Sequence, residues 1–114
     1  MSGTLKNGEW LKVGESLWSP DGSVELKMQE DGKLAIYWEG ECRFQTTDEQ
    51  RDDIDGIQIQ EDGNFVIYDN DGNAVWASDT AEPTGDSSVE VVVQDDGNVV
   101  LYKKTAIWCS ETHK

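Results

Sequence analysis

Histidine, cysteine and basic side chains are all scarce in this chain. It holds one His, two Cys and nine Lys plus Arg in 114 residues. Two cysteines do not make a disulfide framework. His113, Cys42 and Cys109 have no metal-ligand spacing, so no metal or cofactor is expected. No nucleophile is written beside a candidate base, so no enzyme is expected either. No apolar run approaches ~18 residues, which excludes a membrane-spanning helix. The opening MSGTLKNGEW has no basic or apolar leader, and the expectation is a cytoplasmic protein. Basic residues are outnumbered by 24 Asp plus Glu, for a net charge of −15. Such a surface repels phosphate backbones, so nucleic acid is not an expected partner. Helical periodicity is missing as well: no stretch carries apolar residues at i, i+3, i+4 and i+7 over three turns.

What the chain does have is aromatic, glycine-rich and repetitive. Five Trp, three Tyr and eleven Gly accompany 36% hydrophobic residues. That is enough for a modest core in a single domain spanning 1–114. Short runs rich in Val, Ile and Tyr alternate with Asp-Gly and Asn-Gly turns, which predicts an all-β fold. One nine-residue phrase is written three times: QEDGKLAIY from Gln29, QEDGNFVIY from Gln60 and QDDGNVVLY from Gln94. A second phrase follows each: WASDT at Trp76 and WCSET at Trp108, with FQTTD at Phe44 in the first copy. Three copies of a unit of roughly 30 residues predict three small sheets about a pseudo-threefold axis. The stretches Asp48–Gly56 and Asp79–Ser88 read as surface loops between units.

Parity decides the hairpin in each copy. A two-residue turn at Asp62-Gly63 would put polar Gln60 on one face with Phe65. A three-residue loop, Glu61-Asp62-Gly63, pairs Gln60 with Asn64 instead and uses Gly63 at positive φ. In that register Ile57, Ile59, Phe65 and Ile67 share the inner face, as do Val91, Val93, Val99 and Leu101, and Leu26, Met28, Leu34 and Ile36. Each of these twelve is worth roughly 1.5–3 kcal/mol when fully buried. Trp76, Trp108 and Phe44 recur once per unit and are expected in central packing. The string DNDGN from Asp69 resembles the start of a calcium loop, but its Gly falls too early and Thr80 stands where a Glu ligand belongs; it is read as a hairpin turn.

The outer face carries Gln60, Asp62, Asn64, Val66 and Tyr68 in copy two, and Gln94, Asp96, Asn98, Val100 and Tyr102 in copy three. Amides, a carboxylate, a phenol and a small apolar spot suit a neutral ligand with several hydroxyls, such as a hexose. The pattern Gln-x-Asp-x-Asn-x-Val-x-Tyr resembles the mannose-binding motif of the bulb-type (monocot, snowdrop-agglutinin-like) lectins, and the opening LKNGEWLKVGESLWSPDG from Leu5 resembles that family's first strands. The resemblance implies a β-prism II fold of three antiparallel four-stranded sheets. It implies metal-independent recognition of α-mannose and high-mannose glycans. Carried over, Asp62 and Asn64 would contact the axial O2, Gln60 O3, Tyr68 O4 and Val66 the C3–C4 edge; Asp96, Asn98, Gln94, Tyr102 and Val100 would do likewise.

The first copy departs from the motif. Among Gln29, Asp31, Lys33, Ala35 and Tyr37, Lys33 stands for Asn and Ala35 for Val, so weak or no mannose binding is expected there. The family also implies a homodimer, with Ile107–Lys114 as the strand that pairs with a second subunit. Cys42, two residues before Phe44, is expected inward; Cys109, one after Trp108, outward. That parity argues against an in-chain bridge. The alternative reading is a β-prism interaction or storage protein whose pockets no longer bind sugar.

Overall fold

The computed structural model describes residues 3–46, 50–80, 87–103, 106–110 and 112, with backbone alone at 106 and 107. Its strands are β1 (Thr4–Leu5), β2 (Trp10–Lys12), β3 (Ser16–Trp18), β4 (Glu25–Met28), β5 (Leu34–Trp38), β6 (Glu41–Gln45), β7 (Ile54–Ile59), β8 (Phe65–Asp69), β9 (Ala74–Ala77), β10 (Glu90–Val93), β11 (Val99–Tyr102) and β12 (Ala106–Cys109). The described residues contain no helix. Three antiparallel four-stranded sheets result: β3-β4-β5-β6, β2-β7-β8-β9 and β1-β10-β11-β12. They are called here the first, second and third sheets, after the copy of the repeat each contains.

Each copy supplies three strands, and the first 18 residues lace the three sheets together by giving each a fourth. Leu5, Leu11 and Leu17 fall opposite Val91, Ile57 and Leu26, at one equivalent register position. Strands of two or three residues have no stability alone; they persist because their leucines join an apolar face already assembled. Leu5 and Leu11 are buried, and Leu17 packs against the core.

The hairpins adopt the three-residue loop expected from parity. Gln60 N–H donates to the Asn64 carbonyl at 2.8 Å, and Gly63 N–H to the Gln60 carbonyl at 2.9 Å. Gly32, Gly63 and Gly97 have φ of 84°, 88° and 89°, the left-handed conformation that this loop requires and that glycine adopts without steric cost. Gly97 is also held by packing, since a Cβ there would lie 2.7 Å from Trp38 Cζ3. All twelve inner residues are at most 2% exposed. Phe44, Trp76 and Trp108 meet where the sheets converge: Trp108 contacts Phe44 edge-on at 6.3 Å and Trp76 at 6.1 Å between ring centroids.

Every outermost hairpin contains a bulge at the same place. The register shifts between Ile36 and Tyr37, between Ile67 and Tyr68, and between Leu101 and Tyr102. The extra residues are Arg43, Val75 and Ile107. This overturns the expected position of Cys42. Counting two residues back from Phe44 places it inward, but Arg43 is the inserted residue, so Cys42 pairs with Tyr37 and is exposed. Both cysteines are free. They stand on different sheets, Cys109 opposite Val100.

The first inter-unit loop is shorter than expected. Ile54, Asp55 and Gly56 open β7 instead of ending a loop, because a bulge between Ile54 and Gly56 turns Ile54 inward opposite Asp69, where it is 7% exposed. Residues 48, 49 and 81–86, His113 and much of the tail after Ser110 lie outside the described residues.

The DNDGN string is a hairpin turn. Asp69 Oδ1 accepts the backbone N–H of Asp71 at 3.0 Å and of Asn73 at 2.9 Å, while Oδ2 faces Arg51 Nη2 at 3.3 Å. Arg51 also grips Asp53 with two nitrogens, at 2.9 and 2.6 Å. The backbone donor of Asn73, aided by Arg51, holds the Asp69 carboxyl below the usual range; the Arg51 hydrogen bond does the same to Asp53. A depressed folded value stabilises the fold above the unfolded value of ~3.9 and is lost as pH falls through the folded one. Asp69→Asn should therefore melt at a lower temperature than the parent at neutral pH. The gap should close on acidification below about pH 4, as thermal scans across pH will show.

Candidate functional site

Alternation sends the conserved polar set of each repeat to the outer face of its sheet. In the second sheet Gln58 pairs with Val66 and Gly56 with Tyr68, while Ile57, Ile59, Phe65 and Ile67 point inward. Gln60, Asp62, Asn64, Val66 and Tyr68 thus share one side, and so do Gln94, Asp96, Asn98, Val100 and Tyr102. In the third sheet the grouping is direct, since Gln94 Nε2 donates to the Tyr102 hydroxyl at 2.7 Å.

The loop fixes the orientation of its own carboxylate and amide. Asp62 Oδ1 accepts the Asn64 backbone N–H at 3.0 Å, and Asp96 Oδ1 that of Asn98 at 2.9 Å. Asn64 Oδ1 accepts from the Ser78 hydroxyl at 3.3 Å and the Thr80 backbone N–H at 3.2 Å. Asn98 Oδ1 accepts from the Ser110 hydroxyl at 2.9 Å. With these atoms engaged, Asp62 Oδ2, Asn64 Nδ2, Asp96 Oδ2 and Asn98 Nδ2 make no hydrogen bond among the described residues, and each Asp is tied to the backbone of its Asn. A carboxylate acceptor next to an amide donor is complementary to one hydroxyl that donates and accepts at once.

Ser78, Thr80, Ser110 and Thr112 were not among the residues singled out from sequence. Ser78 and Ser110 each receive a backbone N–H, from Phe65 at 3.1 Å and from Val99 at 2.9 Å. Thr80 and Thr112 donate to the carbonyls of Gly63 and Gly97, both at 2.7 Å. Asp79, at φ 60°, turns the chain so that Ser78 and Thr80 reach the same loop. The signal was in plain view as the recurring Trp-x-Ser-x-Thr phrase, whose polar letters clamp the loop while its Trp enters the core.

Val66 and Val100 are 3% exposed, and Ala35 0%. They lie on central strands, flanked on both sides, Val66 by Gln58 and Ala77 and Val100 by Val92 and Cys109. They form an apolar floor, with the polar groups as rim. The two intact copies also differ. Tyr68 packs against Trp10 at 5.8 Å, beside a pocket of about 320 Å³ bounded by Trp10, Asp55, Gln58, Tyr68, Asn70 and Gly72. Lys12 Nζ caps the Trp10 ring at 4.1 Å and meets Asp55 at 3.0 Å.

In the first copy Gln29 Nε2 donates to the Tyr37 hydroxyl. Asp31 Oδ1 accepts the Lys33 backbone N–H at 3.0 Å, and Thr46 takes the place of Ser78 by accepting the Leu34 N–H at 3.1 Å. Lys33 supplies no amide to complete the donor–acceptor pair. Among the described residues no group of three His, Cys, Asp or Glu is arranged to hold a metal ion.

No protein-family profile matches the chain. It is 32% identical over 112 residues to the B-type lectin plumieribetin of Scorpaena plumieri, covering 96% of each. Among solved structures, a monomeric monocot mannose-binding lectin from Gastrodia elata is 32% identical with a TM-score of 0.85, over 99% of this chain and 100% of that one. The mannose-specific agglutinin of snowdrop, Galanthus nivalis, solved with methyl-α-D-mannoside, is 31% identical with a TM-score of 0.77 over 99% of both chains.

Proposed function

The chain belongs to the bulb-type (B-type) lectin family, with its β-prism II fold, and on that premise we propose that it binds α-mannose and high-mannose glycans at the outer faces of the second and third sheets. Lectins hold sugars without transforming them, and the chain is not an enzyme. The observation that carries the reading is the same arrangement in both copies: the loop N–H holds Asp62 and Asp96, and the serine clamp holds the amides of Asn64 and Asn98. An axial O2 hydroxyl donates to the carboxylate and accepts from the amide. Gln60 and Gln94 serve O3, Tyr68 and Tyr102 serve O4, and the Val66 and Val100 floors meet the C3–C4 edge. Glucose turns O2 equatorial and leaves the pair unsatisfied, which costs more than a made bond gains.

Binding needs no metal, because side-chain donors and acceptors supply every contact. The first copy does not take part, since Lys33 lacks the amide that the serine clamp holds in place and Ala35 withdraws the apolar contact that valine gives. A shallow site for one sugar holds it at about millimolar strength, near −4 kcal/mol. Two sites on one chain engage a branched glycan together, and linkage adds ~10²–10⁴ in avidity. Pairing of two chains along the exposed edge of β12 doubles the count; sedimentation at working concentration reads that assembly directly.

The test is competition on a high-mannose glycoprotein in the presence of chelator. Methyl α-mannoside should displace the chain at millimolar levels and methyl α-glucoside at least about tenfold less well. Equal displacement by the two sugars, or loss of binding with chelator, sinks the proposal.

A further inference from the structure

The outer face of the first sheet has lost the mannose pattern yet holds a pocket of about 330 Å³. Its lining includes Trp18, Glu25, Gln29, Tyr37 and Glu39. Trp18 stands out as an exposed large hydrophobic side chain, at 37%. It occupies the outer face of β3, directly across from Glu25, which in turn pairs with Tyr37. Trp18, Glu25 and Tyr37 therefore form one row across the sheet. At the end of that row Gln29 is tied to Tyr37 through Nε2, and its Oε1 is buried without a hydrogen-bond partner. A buried acceptor left unpaired is costly unless a ligand supplies the donor.

Charge selects among ligands. Glu25 is oriented by the Ser16 hydroxyl, which donates to Oε2 at 2.5 Å. Glu39 is held at φ 55°, a conformation unfavourable for its side chain, in the turn that closes β5 onto β6. The lining opposes these two carboxylates with one ammonium, Lys27, in a chain of net charge −15. An indole face flanked by carboxylates attracts a cation and an apolar sugar face together.

We infer that this pocket is a separate site for a hexosamine bearing a free ammonium group. The sugar lies on Trp18, its ammonium faces Glu25 and Glu39, and its hydroxyls meet the Gln29 side chain where it lines the pocket. This site shares no residue with Gln60–Tyr68 or Gln94–Tyr102, so it stands or falls apart from mannose recognition.

Calorimetric titration of the full chain with a β-1,4-linked glucosamine trisaccharide, and with its fully N-acetylated form, tests the inference at about 0.15 M salt, where long-range attraction is screened. The free amine should bind at least about tenfold more tightly than the neutral, bulkier N-acetyl form. Trp18→Ala, which leaves the charge unchanged, should weaken it about tenfold, and Glu25→Gln with Glu39→Gln at least as much. Thermal melting within a few degrees of the parent reports that the variants are folded, whatever the outcome for mannose, and methyl α-mannoside binding should stay within about twofold in all of them. Equal binding of the two trisaccharides, or undiminished binding by Trp18→Ala, overturns the inference, the latter because it leaves only attraction of a cation to an acidic chain.

Discussion

Replacing Asn64 and Asn98 together by Asp should abolish measurable mannose binding and leave the fold intact. The substitution is isosteric. In the parent each Asn Oδ1 is engaged by the serine clamp, from Ser78 at 3.3 Å and Ser110 at 2.9 Å, so Nδ2 is the atom that faces outward. Asp keeps the clamp and exchanges that outward donor for an anionic oxygen beside Asp62 or Asp96. The sugar hydroxyl then meets two acceptors and has one proton to give. Loss of the donor, plus an unpaired acceptor in the complex, amounts to about 2–3 kcal/mol, or roughly 30–150-fold per site. Each single variant should retain one site and halve the stoichiometry measured by calorimetry. Full binding in the double variant would show that the sugar is held elsewhere.

Trp108→Ala should be strongly destabilising, although Trp108 is only half-buried. Trp108 touches Phe44 of the first sheet and Trp76 of the second, at 6.3 and 6.1 Å, so it joins all three sheets at their convergence. Its removal forfeits two edge-on aromatic contacts and uncovers the core apolar surface against which the half-buried indole packs. The expected cost is about 3 kcal/mol, a large part of the ~5–15 kcal/mol of a domain this size. The melting temperature should fall by about 10–20 °C. A shift of a degree or less would mean that the aromatic cluster is incidental, and that the sheets are joined by the leucines of β1, β2 and β3.

Part of this arrangement is legible in the sequence. The hairpin register follows from Gly63 and from the parity of Gln60 against Phe65, because a slip of one residue would turn an apolar face to water. The shared side of Gln94 and Tyr102 follows from the same parity. Recurrence at equivalent places marks Phe44, Trp76 and Trp108 as shared packing; they do meet one another, but half-buried against the core instead of inside it. The bulges at Arg43, Val75 and Ile107 were not legible, since an inserted residue in a strand looks like any other strand residue; Cys42 was misplaced for that reason alone. Ile54 was hidden by the same effect, with Asp55 as the extra residue. The lacing by Thr4–Leu5, Trp10–Lys12 and Ser16–Trp18 was equally hidden, because strands so short carry no periodicity of their own. The clamp by Ser78 and Ser110 was visible as a phrase but not as a function, which depends on a pairing across β8 and β9, and across β11 and β12, that no local pattern encodes.

Seen with the bulges in place, the outer face is a repeated device with three settings. The register step beside each tyrosine re-aims the outer edge of the sheet next to the polar rim. In the third sheet Gln94 and Tyr102 are tied; in the second Tyr68 leans on Trp10; in the first Gln29 and Tyr37 are tied while Lys33 replaces the amide. One scaffold thus presents two faces with the full Gln-Asp-Asn-Val-Tyr set and one in which Lys33 and Ala35 alter it.

The side-chain amide resonances of Asn64 and Asn98 in a nitrogen-15 labelled sample, followed during titration with methyl α-mannoside under chelator, report on the central assignment at its own atoms. Both amides should shift along a saturating curve with mannoside, stay in place with the glucoside, and leave the backbone of Gln29–Tyr37 unmoved. Mannoside binding that leaves both amides where they were would contradict the account.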